Sequence, residues 1–571
     1  MTPTLTRSTG RRARRATRRR ATGAIAALAS IALVAACGSG AMAGTAGSST
    51  QTITGASTSG TASSGTAWTT ISTATRDANA GADAEAVLAA NADTSAAVAA
   101  ASSYEKGTYN SSSATTITLN GSSVNVEGDA SSLVTVDGTT VTITGSGTFV
   151  LTGTLSDGEV LVNAADADVV LVLDDASVTN ADGPAVNIQD AGSAVVVLAE
   201  GSTNTLTDGA TYADTSADAP TAALYSSDTL TLTGTGSLTV TGQANDAISS
   251  KNGLAITGSP TMTVTAADDG LRGKDWLLVN GGTLTVTAGG DGLKSSEDND
   301  ETKGFVALGT ARVSITAGDD GIAATTDVVV DGTTLDISAG GGQAQAVGED
   351  SQESPKGVNA GVTYVQSSGT VTVDAADEGV QGAFVTVTGG TLSITSGDDG
   401  INASNGDYTI EGYENADSES DDGSVLTVSG GTVQIDFAAS DGVDSNGSAY
   451  VTGGQVLVVG AAGAMDGSVD ANGDSQLVGV SGSLSVAAGD TITVTGTDGT
   501  SWSVTSVVSD SSLTVLGLTD GVSYTVTTSS GGSFTATASA LGAGTGGAMG
   551  GRPGGAPGDQ GGAPGGGQPP Q

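Results

Sequence analysis

The residues best placed to do chemistry in this sequence are carboxylates that recur beside glycine. They sit in PTMTVTAADDGLRGK (260–274), GGTLTVTAGGDGLKSS (281–296), TARVSITAGDDGIAAT (310–325), SGTVTVDAADEGVQG (368–382) and GGTLSITSGDDGINAS (389–404). GSLTVTGQANDAISSK (236–251) and GGTVQIDFAASDGVDS (430–445) are variants. Each has an alternating segment, an acidic corner and then an apolar residue. The corner acids are Asp246, Asp269 (after Asp268), Asp291, Asp320, Glu378, Asp399 and Asp441. Carboxylates brought within about 5 Å of one another repel, and bound cations relieve this. Ca²⁺ takes about 6–8 oxygens, which paired corners and turn carbonyls could supply. These acids are therefore the candidate metal ligands, with calcium as the expected ion.

The cations are placed with equal regularity. Lys251 and Lys274 each fall five residues after a corner acid, and Arg272 and Lys294 each fall three after. Two readings stand. The cations neutralise neighbouring acids, or they bind an anionic sugar, for which arginine suits bidentate carboxylate pairing. Trp276 and Tyr364 are candidate aromatic platforms for sugar rings. Together Lys251, Arg272, Lys274, Lys294 and Trp276 form the candidate carbohydrate-binding set.

What is missing narrows the chemistry. There is no histidine and a single cysteine, so a Ser-His-Asp triad, a Cys-His pair, a typical zinc site and an internal disulfide are all excluded. Eight of the 18 cations lie in the first 20 residues, which leaves ten against 61 acids. Such a chain repels nucleic acid and anionic membrane.

The corners must be held in line by repeated elements. Asp246, Asp269 and Asp291 are 23 and 22 residues apart, and Glu378 to Asp399 is 21. The interval of 29 from Asp291 to Asp320 contains SSEDNDETK, and that of 42 from Asp399 to Asp441 contains EGYENADSESDDG. The turn GGGQAQAVGED takes the corner expected between Asp320 and Glu378. A period of 21–23 with short strands predicts the coils of an all-β, right-handed parallel β-helix, stacked about 4.8 Å apart. In GGTLTVTAG, Leu284 and Val286 point inward. Residues 476–540 predict a small antiparallel β-module that protects the open end.

The domain plan follows. Residues 1–36 read as a signal peptide with an Arg-rich start and an apolar stretch too short to span a bilayer. It ends LVAAC, which resembles a bacterial lipobox and makes Cys37 the lipidation site. Residues 37–110 read as a flexible Ser/Thr/Ala/Gly-rich tether in which AEAVLAANADTSAAVAAA is transiently helical, 111–475 as the β-helix, and 541–571 as a disordered Gly/Pro tail.

GSGTFVLTGTLSDGEVLVNA, LYSSDTLTLTGTGSLTVTG, AADDGLRGKD, AGGDGLKSSED and the GDDGI corners together resemble the bacterial carbohydrate-binding-domain family of β-helical surface proteins, similar in fold to pectate lyases. The resemblance spans roughly 115–540. It implies a right-handed parallel β-helix, bound calcium, and binding of cellulose and acidic plant polysaccharide. The expectation is a monomeric lipoprotein on the extracellular face of the cell membrane, held only by its lipid anchor, that binds polysaccharide. One alternative is a calcium-dependent polysaccharide lyase with Lys or Arg as base. Another is a passive surface spacer or adhesin, in which the acid ladder is structural.

Overall fold

The computed structural model describes residues 67–541 except 217–218, 349–350, 417–419, 461–466 and 508. The signal peptide, Cys37, the first part of the tether and nearly all of the Gly/Pro tail lie outside the described residues.

The described chain is all-β apart from three one-to-two-turn helices and two short 3-10 turns. Strands pair in parallel with the equivalent strand of the next repeat. Leu271–Gly273 pairs with Leu293–Ser295, and Trp276–Ala288 pairs with both Phe305–Leu308 and Arg312–Ala317. The same registers continue through Ile322–Ala324, Val328–Val330 and Thr334–Ala339.

Inward residues stack into columns. Met262, Leu284, Val313, Leu335, Val371 and Leu392 form one, each buried. Leu271, Leu293, Ile322, Val358, Val380 and Ile401 form another. Leu284 and Val286 do face inward, each 1% exposed. Burying a Leu, Ile or Val side chain stabilises by about 1.5–3 kcal/mol, so each repeat gains by adding to the columns rather than by folding alone.

The corner glycine has a packing reason. A Cβ on Gly270 would strike Val286, and one on Gly292, Gly321, Gly379 or Gly400 would strike Ile315, Ile337, Ile394 or Ile435. None of these glycines has a positive φ. The Asp-Gly pair is thus a carboxylate placed beside a gap that admits a β-branched core residue from the next face.

At the C-terminal end, Gln455–Gly460 is covered antiparallel by Asp510–Leu516, which also pairs with Val478–Val486. A separate antiparallel sheet contains Thr491–Gly496, Ser501–Thr505, Ser523–Thr528 and Ser533–Thr537.

The expected tether differs from the structure over residues 67–110. Thr70–Ile71 pairs in parallel with Thr409–Ile410, and the chain then runs back along the stack as α1 (Thr73–Asn79), α2 (Ala84–Ala90) and α3 (Ser95–Ala101). Ser72 and Asp83 cap α1 and α2 by accepting from the Thr75 and Ala86 amides. Ala84, Val87 and Ala97 cover Ala255, Trp276, Phe305, Ala307, Val329 and Val365. Short alanine-rich turns are marginal in isolation, so this apolar sheet face must hold them in place.

Candidate functional site: a ladder of corner carboxylates

The corners align into one row. The amides of Ala247, Gly270, Gly292, Gly321, Gly357, Gly379 and Gly400 donate to the carbonyls of Asp269, Asp291, Asp320, Lys356, Glu378, Asp399 and Asp441, each one repeat further on. Five carboxylates also accept the next corner's amide. Asp246 accepts from Asp269 (3.4 Å), Asp269 from Asp291 (3.1 Å), Asp291 from Asp320 (3.0 Å), Asp320 from Lys356 (2.8 Å) and Asp399 from Asp441 (2.8 Å).

Asp320 and Glu378 are not neighbours in this row, because Lys356 stands between them. The corner there is Pro355-Lys356-Gly357, and residues 340–348, the described part of the turn GGGQAQAVGED, lie before it and not at the corner as expected. Lys356 is 2% exposed. Its ammonium pairs with Glu378 and with Asp377 (3.3 Å) and donates to Ser354. An Asp-Gly search passes over this corner, yet a Gly that would clash with Val373 marks it like the others.

Among the described residues, four groups of three acids bring carboxylate oxygens within 4.8 Å of one another: Asp246/Asp268/Asp269, Asp291/Asp319/Asp320, Asp377/Glu378/Asp398 and Asp441/Asp444/Asp470. Of the expected ligands, Asp246, Asp268, Asp269, Asp291, Asp320, Glu378 and Asp441 fall in these groups. Asp399 lies in the row but in none of them. Asp319, Asp377, Asp398, Asp444 and Asp470 are additions, and the first three directly precede a corner acid, as Asp268 does.

Burial dominates their electrostatics. It pushes the Asp246 carboxyl up to about 8, with Asp269 adding repulsion. Burial and neighbouring acids raise Asp320 and Asp399 well above the ordinary range. For Asp291 and Glu378, burial raises the pKa while Lys294 and Lys356 pull it down. Asp246 Oδ2 is buried and has no hydrogen-bond partner. An anionic oxygen left so is costly unless a proton or cation meets it. The donor set, three hard oxygens with an orphan among them, fits Ca²⁺.

The predicted cation rows also form. Arg272 is the register partner of Lys294, and the register that joins Ser250 to Gly273 carries Lys251 onto Lys274. Lys294 pairs with Asp269 (2.9 Å) and Asp291 (2.7 Å), and Lys274 with Glu297 (2.6 Å). Arg272 donates to Ser296 Oγ from Nε and Nη2. Lys251 lies 6.0 Å from the Tyr225 ring centroid. Most of this positive charge is therefore engaged with the protein's own groups. Trp276 is 7% exposed beneath α2 and α3, and Tyr364 is fully buried with its hydroxyl on Gln366. Both are packing residues here and present no face to a sugar.

Comparison with known proteins places this geometry. A family model of carbohydrate-binding domain-containing proteins matches residues 137–400. That span holds the row from Asp246 to Asp399. A carbohydrate-binding domain-containing protein of Acetivibrio thermocellus is 33% identical over 117 residues, which is 20% of this chain and 41% of the relative. The chain thus spans about two fifths of the length of that curated relative. A solved structure, the polysaccharide lyase-like protein from C. thermocellum, shares 33% identity over 40% of this chain and 92% of its own, with a TM-score of 0.38.

Proposed function

We propose that this protein is a polysaccharide-binding lipoprotein of the cell surface, built as a right-handed parallel β-helix whose corner ladder holds calcium. The reading rests on the stacked carboxylate groups, above all the orphaned Asp246 Oδ2, within a segment that matches a carbohydrate-binding family. Asp246, Asp268 and Asp269 would hold one ion and Asp291, Asp319 and Asp320 another. Such an ion supplies positive charge that lets buried acids stay ionised at neutral pH and leaves coordination positions for sugar oxygens. Lys294 and Lys356 neutralise part of the row permanently. Cys37 would carry the lipid, and the protein would act as a monomer.

Binding without catalysis is the preferred form of this reading. The two acids around Lys294 hold its ammonium protonated, against the pull of burial. A lysine so held is a poor base for proton abstraction from a uronate. The test is retention of the full chain on cellulose and on polygalacturonate, with and without chelator. Retention that weakens in chelator is expected, and passage through both supports would overturn the proposal.

A further inference from the structure

The row three residues beyond each corner continues past the cations. Parallel register runs Ser249, Arg272, Lys294, Ala323, Asn359, Gln381, Asn402, Asp444. Three successive repeats thus carry side-chain amides. Gln381 Oε1 and Asn402 Oδ1 are buried and without a hydrogen-bond partner, and Gln381 is only 5% exposed. Exchanging the oxygen and nitrogen of Gln381 does not cure this, because Ser404 Oγ serves only one of the two. Beside Gln381 opens a cavity of about 30 Å³ lined by Asn359, Gln381, Ser404 and Tyr408, with Gly361 and Gly406 among its walls. Tyr408 spends its hydroxyl on the Thr325 carbonyl (2.9 Å), which fixes the ring as a wall. Asn359 is held by Asp320 Oδ2 (2.8 Å). The cavity has room for about one hydroxyl-sized group.

We propose that the Asn359–Gln381–Asn402 row is a binding track for a neutral, extended polysaccharide lying along the stack, with one sugar hydroxyl seated in the Gln381 cavity. This rests on the polysaccharide-binding reading and assigns it a site away from the cation row. Buried amide oxygens want O–H donors, which sugars provide in quantity. Amides recur about every 4.8 Å along parallel rungs, close to the advance per residue of an extended β-linked hexose chain. The surrounding charge rejects a uronate. Asp407 lines the cavity, Asp320 holds Asn359, and Asp444 follows Asn402 in register.

Titration calorimetry of the full chain with cellohexaose, at low and high salt, tests this beside polygalacturonate retention. Gln381→Met removes the orphaned oxygen at nearly constant volume. Gly406→Asn fills the cavity from the opposite wall. Gly406 has φ +55°, which asparagine tolerates, and a Cβ there would lie 3.8 Å from Gln381 Nε2. Cellohexaose binding should be insensitive to salt, and each variant should weaken it roughly tenfold while polygalacturonate retention stays unchanged. Wild-type affinity in both variants would overturn the track. So would a wild-type chain that retains polygalacturonate and ignores cellohexaose, which leaves the broader reading standing. Failure to bind either glycan overturns both.

Discussion

The two halves of the corner row neutralise themselves differently. From Asp246 to Asp320 the ammonium comes from outside the row: Lys294 reaches in from the outward face to Asp269 and Asp291, its side chain 29% exposed. From Lys356 to Asp441 it sits within the row, because Lys356 has replaced a corner acid and is 2% exposed. The consequence shows on the outward face. Where the charge is supplied from outside, two of the four positions three beyond the corner are cations, Arg272 and Lys294, flanked by Ser249 and Ala323. Where it is supplied from within, that position is released to Asn359, Gln381 and Asn402. One substitution inside the ladder thus frees a strip of surface for hydrogen bonding.

The sharpest way to break this contrast is Lys356→Met. It strips the partner from two buried acids, and removing one member of a buried ion pair costs about 3–5 kcal/mol. The midpoint of urea unfolding in chelator should fall accordingly. A smaller loss is expected from Gly292→Ala, because the added methyl meets the Ile315 methyl and the Gly321 carbonyl. Overpacking of this kind costs about 1–3 kcal/mol, measured in the same way. Lys294→Met should cost less than Lys356→Met, about 1–2 kcal/mol, since solvent partly replaces its ammonium. It should also tighten calcium binding, since the two acids it served would be left to the ion. Equal losses from the two lysine variants would erase the distinction between the halves.

Much of this was legible in the sequence, because a stacked repeat converts spacing directly into position. The intervals of 21–23 residues fixed which acids share the row, and period-two alternation placed Leu284 and Val286 inward. The offset of three that pairs Arg272 with Lys294 also contains Asn359, Gln381 and Asn402, once Lys356 is recognised as a corner. That corner was hidden because its interval from Asp320 is 36 residues and it carries no acid. What its glycine shares with the others is a steric demand, which composition does not display. The helical tendency of 84–101 was legible, but the helix at Thr73–Asn79 and the docking of all three were not. Their few small apolar residues give a weak periodic signal, and only the sheet face they cover explains them. That same cover turned Trp276 from a candidate platform into a packing residue.

The central claim is that the ladder needs a cation when its acids are ionised. Burial lifts Asp246 from an ordinary 3.8 to about 8 and, further along the row, raises Asp320 and Asp399. A folded-state pKa raised above the unfolded one gives stability that is complete below the unfolded value and lost as pH climbs through the folded value. Without calcium, stability should therefore drain away between about pH 4 and pH 8. Calcium should restore it at the upper end, by about 2.7 kcal/mol per site at a hundredfold excess over Kd. Differential scanning calorimetry of the full chain at both pH values, with calcium or chelator, measures this directly. The account predicts a calcium-dependent rise in Tm at pH 8 that vanishes at pH 4. A Tm indifferent to calcium at pH 8 would contradict it.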